Sequence, residues 1–334
     1  MRAEILKLMA LDDSELNSLG TATLNLRCAM ALEPRLAIDV DFCSAVLDRW
    51  AGAVADGIKR MIAIFRRSPE RFSHSFSRFR AMALVTVLQR DLGIGYSPHL
   101  RSAPVEAFTL RDIFIHGVIE TRHGTCASLP VIYAAVARRL GFPIRLVRSR
   151  AHCFARWDEG NAGDRFNIEC TSRGFVSQPD EHYLQWAGNS SETEIRSWRY
   201  LVSMTAREEL ADFLIQGAGY LHDRGRLADA TEAVAAAAEI APSTPSYQNL
   251  FAGLMDRWQR NLRERFPLPA PSVAVTTRAR RFSRLTRETE HRLHALRALE
   301  DFLVESVTNE KSSRPSPMGN LPDSVPRRIH VTVH

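Results

Sequence analysis

The stretch that most constrains the fold is "FPIRLVRSRAHCFARWDEGNAGDRFNIECTSRGF", residues 142–175. Its aromatics, period-two alternation and turn-rich punctuation predict three short strands, "FPIRLVRS", "AHCFARW" and "DRFNIECTSRGF". The segments before and after it carry apolar residues at three-to-four spacing, as in "AVLDRWAGAVADGIKRMIAIFRR" and "SFSRFRAMALVTVLQRDLG". A small antiparallel sheet set among helices is therefore expected, an α+β chain.

The loop "DEGNAG" predicts a hairpin between the last two strands. A turn centred between Gly160 and Asn161 makes Trp157 face Asp164 and His152 face Glu169. Residues directly opposite on antiparallel strands share a face, with Cβ atoms about 5 Å apart. A two-residue slip pairs His152 with Asn167 or Thr171 instead, and a one-residue slip puts His152 and Glu169 on opposite faces. Asn167 stands two strand positions from Glu169, so it is a second candidate partner for the imidazole. Cys153 and Cys170 alternate away from that face and read as buried packing residues.

Upstream, "RHGTCASLPVIYAAVARRLGFP" places one cysteine where a polar turn becomes an apolar helix. Pro130 has no N–H, and its ring clashes with the carbonyl four residues back, at Cys126. A helix that starts at or beside Cys126 tolerates it, because the first N–H groups have no helical partner. Gly141 and Pro143 signal the far end. Cys126 is thus expected in the first turn, with Thr125 or Cys126 as cap and Leu129, Tyr133, Val136 and Leu140 along one face. A cysteine there is either packing or a thiolate favoured by the helix dipole.

The five cysteines are odd in number, irregularly spaced and without a C-x-x-C pair, so free thiols in a reducing compartment are expected, and no metal site. The 334 residues are 45% apolar and 25% charged, room for two domains or one large domain with additions. Acidic residues in "MRAEILKLMALDDSEL" stand where a signal peptide needs an apolar core, and "AVAAAAEIA" is too short to cross a bilayer. A cytoplasmic protein with no membrane association is expected.

A cysteine nucleophile needs a lowered thiol pKa, a base in reach and a group that orients the base. Cys126, His152 and Glu169 could supply these in that order, a Ser-His-Asp arrangement with sulfur and glutamate substituted; Asn167 is the second choice as orienter. Each also has a plainer reading: a packed cysteine, a satisfied core histidine, a cross-strand acid. His123 could help lower the thiol pKa or simply be solvated. Tyr96 and Asp112 could line the cleft or cap helices.

"HGTCASLPVIYAAVARRLGFPIRLVRSRAHCFARW" followed by "FNIECTSRGF" resembles the core of the transglutaminase-like superfamily. There a Gly-x-Cys segment opens a helix, a histidine heads a following strand, and an acid begins the next strand, often as Asp-Pro-Thr. Here those positions are Gly124-Thr125-Cys126, His152 and Glu169-Cys170-Thr171. Glutamate replaces the usual aspartate. The His-aromatic-Trp signature reads His152-Cys153-Phe154, so a bulky side chain beside the histidine is missing.

The resemblance is nearest to the bacterial branch with tetratricopeptide-like helices after the core. It implies a papain/transglutaminase-like α+β core: N-terminal helices, a cysteine-bearing helix and a small antiparallel sheet, followed by an α-helical tetratricopeptide-like appendage. It also implies cofactor-free hydrolysis or acyl transfer at an amide of a protein or peptide substrate. An inactive scaffold that binds a protein partner through its helical region is the alternative.

The boundaries expected are a helical region at 1–95, the transglutaminase-like core at 96–198 and a helical pair at 199–265. In that pair Gly225, Ala230, Ala237 and Pro242 sit at tetratricopeptide offsets. A proline-rich linker at 266–277, a basic amphipathic helix at 278–306 and a disordered tail at 307–334 complete the chain. The net charge of +6 is concentrated in that basic helix. No nucleic-acid motif accompanies it, and packing on its own domain through Leu285, Leu293, Leu296, Leu299 and Phe302 is the favoured reading over nucleic-acid binding.

Overall fold

The computed structural model describes residues 2–104, 107–161, 163–265, 292–301 and 303–304. The linker at 266–277, most of the basic helix and the tail at 307–334 lie outside the described residues. The N-terminal part is helical: α1 (Arg2–Met9), α2 (Asp13–Leu32), α3 (Val40–Arg67) and α4 (Phe76–Thr86). A capping box of Asp12 and Glu15 starts α2, and Asp39 and Ser75 cap α3 and α4 by accepting from the N–H three residues on. One π turn, Val87–Asp91, continues α4.

The chain then forms β1 (Gly95–Tyr96), α5 (Leu110–Ile113), α6 (Ile115–Thr121), β2 (His123–Gly124) and α7 (Leu129–Arg139). The run "EAFTLRDIFIHGVIE" is two helices because Phe114 is extended between them, and the buried Asn25 side chain accepts from the freed Ile115 N–H at 3.0 Å. Close passage of the two is possible because residue 117 is glycine: a Cβ there would lie 2.0 Å from the Arg111 carbonyl oxygen. β1 and β2 pair in parallel, Tyr96 beside Gly124.

Every residue of α7 from Leu129 to Ala137 is buried. The expected single apolar face is therefore too narrow a description: α7 is the central helix, enclosed on all sides, which is why its sequence is apolar all round. α2, α3, α4 and α6 pack around it, and the sheet β3 (Ile144–Ser149), β4 (His152–Asp158) and β5 (Arg165–Ile168) closes the remaining side.

The sheet is antiparallel in the order β3-β4-β5. Ile144, Leu146, Ala155, Trp157, Phe166 and Ile168 join the main core, while Val147 and Phe154 point to the other face and pack with Tyr183. β4 and β5 pair Ala155 with Ile168, Arg156 with Asn167, Trp157 with Phe166 and Asp158 with Arg165. The register is thus shifted by two residues from the hairpin centred at 160–161. The hairpin is closed instead by the Glu159 N–H donating to the Asp164 carbonyl at 3.1 Å. The Glu159 carboxylate holds the loop, accepting from Trp157 Nε1 at 2.8 Å and from the Asp164 N–H at 3.0 Å.

After the sheet come α8 (Asp180–Gln185), α9 (Glu192–Trp198), α10 (Ala206–Asp223), α11 (Leu227–Ile240) and α12 (Pro245–Arg265). Gly225, at φ +72°, makes the tight turn between α10 and α11. α10 packs on α2 as well as on α11. Its buried acids reach the core: Arg138 of α7 donates to both oxygens of Glu209 at 3.1 and 2.5 Å, and Arg148 of β3 pairs with Asp212. In the helical stretch at 292–301, Leu293 is buried in the core and Arg297 donates to Asp229 of α11 at 2.5 Å.

Candidate active site

Cys126 lies in a turn two residues before Ser128, the N-cap of α7, and not within the helix. Pro130 explains the difference. Thr125 already accepts a helical bond from the Leu129 N–H at 2.9 Å, but Pro130 has no N–H to give the Cys126 carbonyl, so continuous helix begins later. The turn is fixed by hydroxyls. Thr125 Oγ1 and Ser128 Oγ both donate to the Asp112 carbonyl at 2.8 Å, Ser128 Oγ accepts from the Thr125 N–H at 3.1 Å, and Thr125 Oγ1 accepts from the Ala127 N–H at 3.2 Å.

The glycine of Gly-Thr-Cys has a steric cause. A Cβ at 124 would stand 2.6 Å from both Ser128 Oγ and Val118 Cγ2. Asp112 also caps its own helix, its carboxylate accepting from the Thr109 N–H at 2.8 Å. Of the five cysteines, Cys126 is half-buried and the others are buried. Burial pushes the Cys153 thiol up to about 12 and the Cys170 thiol well above its ordinary value. Both lie on the sheet face away from His152, as their alternation predicts.

His152 begins β4, paired with Ser149. Its Nε2 lies 2.9 Å from Glu169 Oε2, with both side chains buried. Under the observed register Glu169 is diagonal to His152, just past the end of β5. A shift of two keeps it on the same face, so the contact survives. The second carboxylate oxygen, Oε1, accepts from the Thr171 N–H at 2.8 Å and from Thr171 Oγ1 at 2.5 Å. Those donors and His152 hold the Glu169 carboxyl below its ordinary pKa, although burial alone would raise it.

Cys126 stands close enough to the imidazole to influence its charge. Burial pushes the His152 pKa down, but the influence of nearby Cys126 and of the bonded Glu169 carboxylate outweighs it and raises the value to about 9.

Asn167 is not an orienter of His152. It lies opposite Arg156, accepts from Arg156 Nε at 2.7 Å and donates to the Gln178 carbonyl at 2.9 Å and to Asp180 Oδ1 at 2.7 Å. Its amide is spent on keeping a buried guanidinium satisfied.

Two neighbours of the site, Trp186 and Gln89, had no signal in the sequence, and a third, Tyr96, is one of its two candidates for lining the cleft. Trp186, just after α8, stacks on the His152 ring at 4.3 Å between centroids and 17° between planes. The bulky group absent from His152-Cys153-Phe154 is therefore supplied from another segment. Gln89, presented by the π turn, donates to Tyr133 Oη and the Ser172 carbonyl, both at 2.9 Å, and accepts from the Gly174 N–H at 2.7 Å. It ties the loop that carries Thr171 to α7. Tyr96 lies near enough to Cys126 for the sulfur's charge to raise the phenol pKa, behind burial as the larger cause.

Cys126 and His152 line a cleft of about 380 Å³ whose far wall is α10. A half-buried cysteine and an imidazole bonded to a buried carboxylate thus line one cleft.

Comparison with known proteins agrees with this architecture. A family profile described as transglutaminase-like superfamily matches residues 46–214, about half of the chain. The chain belongs to the transglutaminase-like superfamily. Among curated proteins it is similar to mouse (Mus musculus) "F-box only protein 21", 24% identical over 98 residues, which are 29% of this chain and 14% of that protein. No solved structure matches. Among the described residues no helix is long and apolar enough to cross a membrane.

Proposed function

We propose that the chain is a cysteine-dependent hydrolase or acyltransferase acting on an amide of a peptide or protein. The observation that carries the reading is that Cys126 and His152 line one cleft, while His152 Nε2 lies 2.9 Å from the buried Glu169 Oε2. The Cys126 thiolate attacks the amide carbonyl carbon and forms a C–S bond. The C–N bond then breaks, and the His152 imidazolium gives its proton to the leaving amine. The thioester that results is attacked by water or by an acceptor amine. The imidazole, now neutral, takes the proton from that nucleophile and returns Cys126 as a thiolate.

Glu169 acts through His152 and touches no substrate. It fixes the ring's orientation and stabilises the imidazolium, as the acid does in other such triads. Thr171 in turn fixes the carboxylate.

The test is alkylation by iodoacetamide below pH 7, with each cysteine followed by peptide mapping. Cys126 is expected to react faster than the other four cysteines, and His152→Ala is expected to slow Cys126 itself well below its rate in the parent protein. Labelling of Cys126 no faster than the buried cysteines would overturn the reading and favour an inactive scaffold.

A further inference from the structure

The cleft beside Cys126 is lined differently from the polar machinery that would work the bond. Its far wall is Ile215, Gly219 and Tyr220 of α10, and Phe108 and Ile113 contribute further apolar surface. At about 380 Å³ it lies at the low end of the ~300–1,000 Å³ typical of ligand pockets, enough for one large side chain. Ser149 stands in its wall on the neighbouring strand position to His152, 1% exposed, and its Oγ has no hydrogen-bond partner among the described residues. A buried hydroxyl left unpaired is costly and is ordinarily satisfied by some partner.

The charged groups of the same wall are already engaged. Arg148 pairs with Asp212, Asp223 meets His222 at 3.1 Å, and Arg224 donates to the Phe108 carbonyl at 2.9 Å. Most of what the cleft offers an incoming group is apolar surface, and the unpartnered Ser149 hydroxyl lies buried in its wall.

We infer that this cleft is the specificity pocket of the enzyme and takes an aromatic side chain with a hydrogen-bonding tip, of the phenol type, next to the scissile amide. The apolar walls hold the ring and Ser149 Oγ meets the tip. The inference deepens the proposed function and rests on Cys126 as the reacting atom. It assigns α10, whose last residues lie beyond the superfamily match, a direct part in substrate choice.

Two substitutions test it without disturbing the fold. A Cβ at Gly219 meets nothing within 4 Å, so Gly219→Leu projects into open space, and leucine favours the helix over glycine. Ser149→Ala removes a hydroxyl that no described residue needs.

The probes are iodoacetamide and two N-substituted forms of it, N-phenethyl and N-(4-hydroxyphenethyl), with rates read at Cys126 by peptide mapping. The phenethyl reagent is expected to react about tenfold faster than iodoacetamide itself, and the hydroxyphenethyl reagent faster again. Gly219→Leu is expected to erase both gains, each read as the ratio of that reagent's rate to the iodoacetamide rate on the same variant. Ser149→Ala is expected to erase only the advantage of the hydroxyl. Equal rates for all three reagents on the unmodified protein would overturn the pocket, and so would gains that survive Gly219→Leu. Because these are ratios at one sulfur, they are separate from the iodoacetamide comparison among cysteines on which the proposed function stands or falls.

Discussion

Glu169 reaches His152 from beyond the end of its own strand: Oε2 lies 2.9 Å from Nε2, while Thr171 holds Oε1 through both its N–H and its hydroxyl. The carboxylate is fixed at two ends, so the imidazole it meets is fixed as well. Glu169→Gln keeps the shape but removes the charge that favours the imidazolium. It is expected to lower Cys126 alkylation at pH 6.5 by about 10²-fold or more. Thr171→Val leaves the charge in place and frees only its orientation, so a smaller loss is expected. A Thr171→Val effect as large as that of Glu169→Gln would show that orientation outweighs charge.

The pH behaviour follows from the imidazole. His152 is raised from 6.5 to about 9, so the proton donor persists to about pH 9 and is lost above it. Turnover is expected to fall along an alkaline limb near 9. The sign for stability is the same. A folded-state value above the unfolded one gives a contribution fully present below about 6.5, and it is lost as pH rises through about 9. Glu169, lowered in the fold, contributes above its ordinary 4.5 and loses that contribution as pH falls below it. Urea unfolding of the parent protein and of His152→Ala at pH 6 and pH 10 checks the first of these. The difference between the two should shrink at pH 10.

Trp186 covers the imidazole face yet is 45% exposed. Burial is the influence that pushes the His152 pKa down, so removing the indole should let the value rise. Trp186→Ala is therefore expected to move the His152 titration upward from about 9, measured by the NMR chemical shift of its imidazole against pH. A downward move would mean that the ring acts by positioning His152 toward its partners and not by desolvating it.

Asn167 separates structure from chemistry. It accepts from the buried Arg156 guanidinium, which also donates to the Leu201 carbonyl and Asp180. Asn167→Ala removes a hydrogen bond to a charged group, so a loss of roughly 1.5–3 kcal/mol in unfolding free energy is expected. Cys126 alkylation should be unchanged below the unfolding transition. Guanidinium denaturation and the alkylation rate of the same preparation check both halves.

The sequence made His152 and Glu169 neighbours by placing the hairpin's centre one residue too early, and parity rescued the contact. An even slip changes which residues stand opposite but not which face they share. The true register came from Glu159, whose side chain is recruited into the loop by Trp157 and Asp164, and no alternation pattern carries that information. Pro130 was legible as a constraint on α7, but the same missing N–H that excluded an earlier start also delayed the helix past Cys126. Trp186 and the α10 wall were out of reach for a different reason. Both arrive at the site by tertiary packing from segments that local periodicity describes only as helix.

Gly124 offers the sharpest link between the motif and the geometry. Its missing Cβ is the space in which Ser128 Oγ sits, and Ser128 Oγ is bonded to the Thr125 N–H and the Asp112 carbonyl that hold the cysteine turn. A methyl group 2.6 Å from that oxygen forces either Ser128 or the turn itself to move. Val118 closes the other side, also at 2.6 Å, so the methyl group has no alternative place. Overpacking of this kind costs about 1–3 kcal/mol, which a chain of this size survives. The relation between sulfur and imidazole is less forgiving, since a displacement of about 1 Å can cost about 10²-fold in rate. Gly124→Ala should therefore lose Cys126 alkylation far more than it loses stability, and Gly124→Ala with Ser128→Gly should recover part of the rate by making room for the methyl. Failure of the second substitution to restore any rate would place the fault at Val118, and Val118→Ala in the same background would then be the variant expected to recover it.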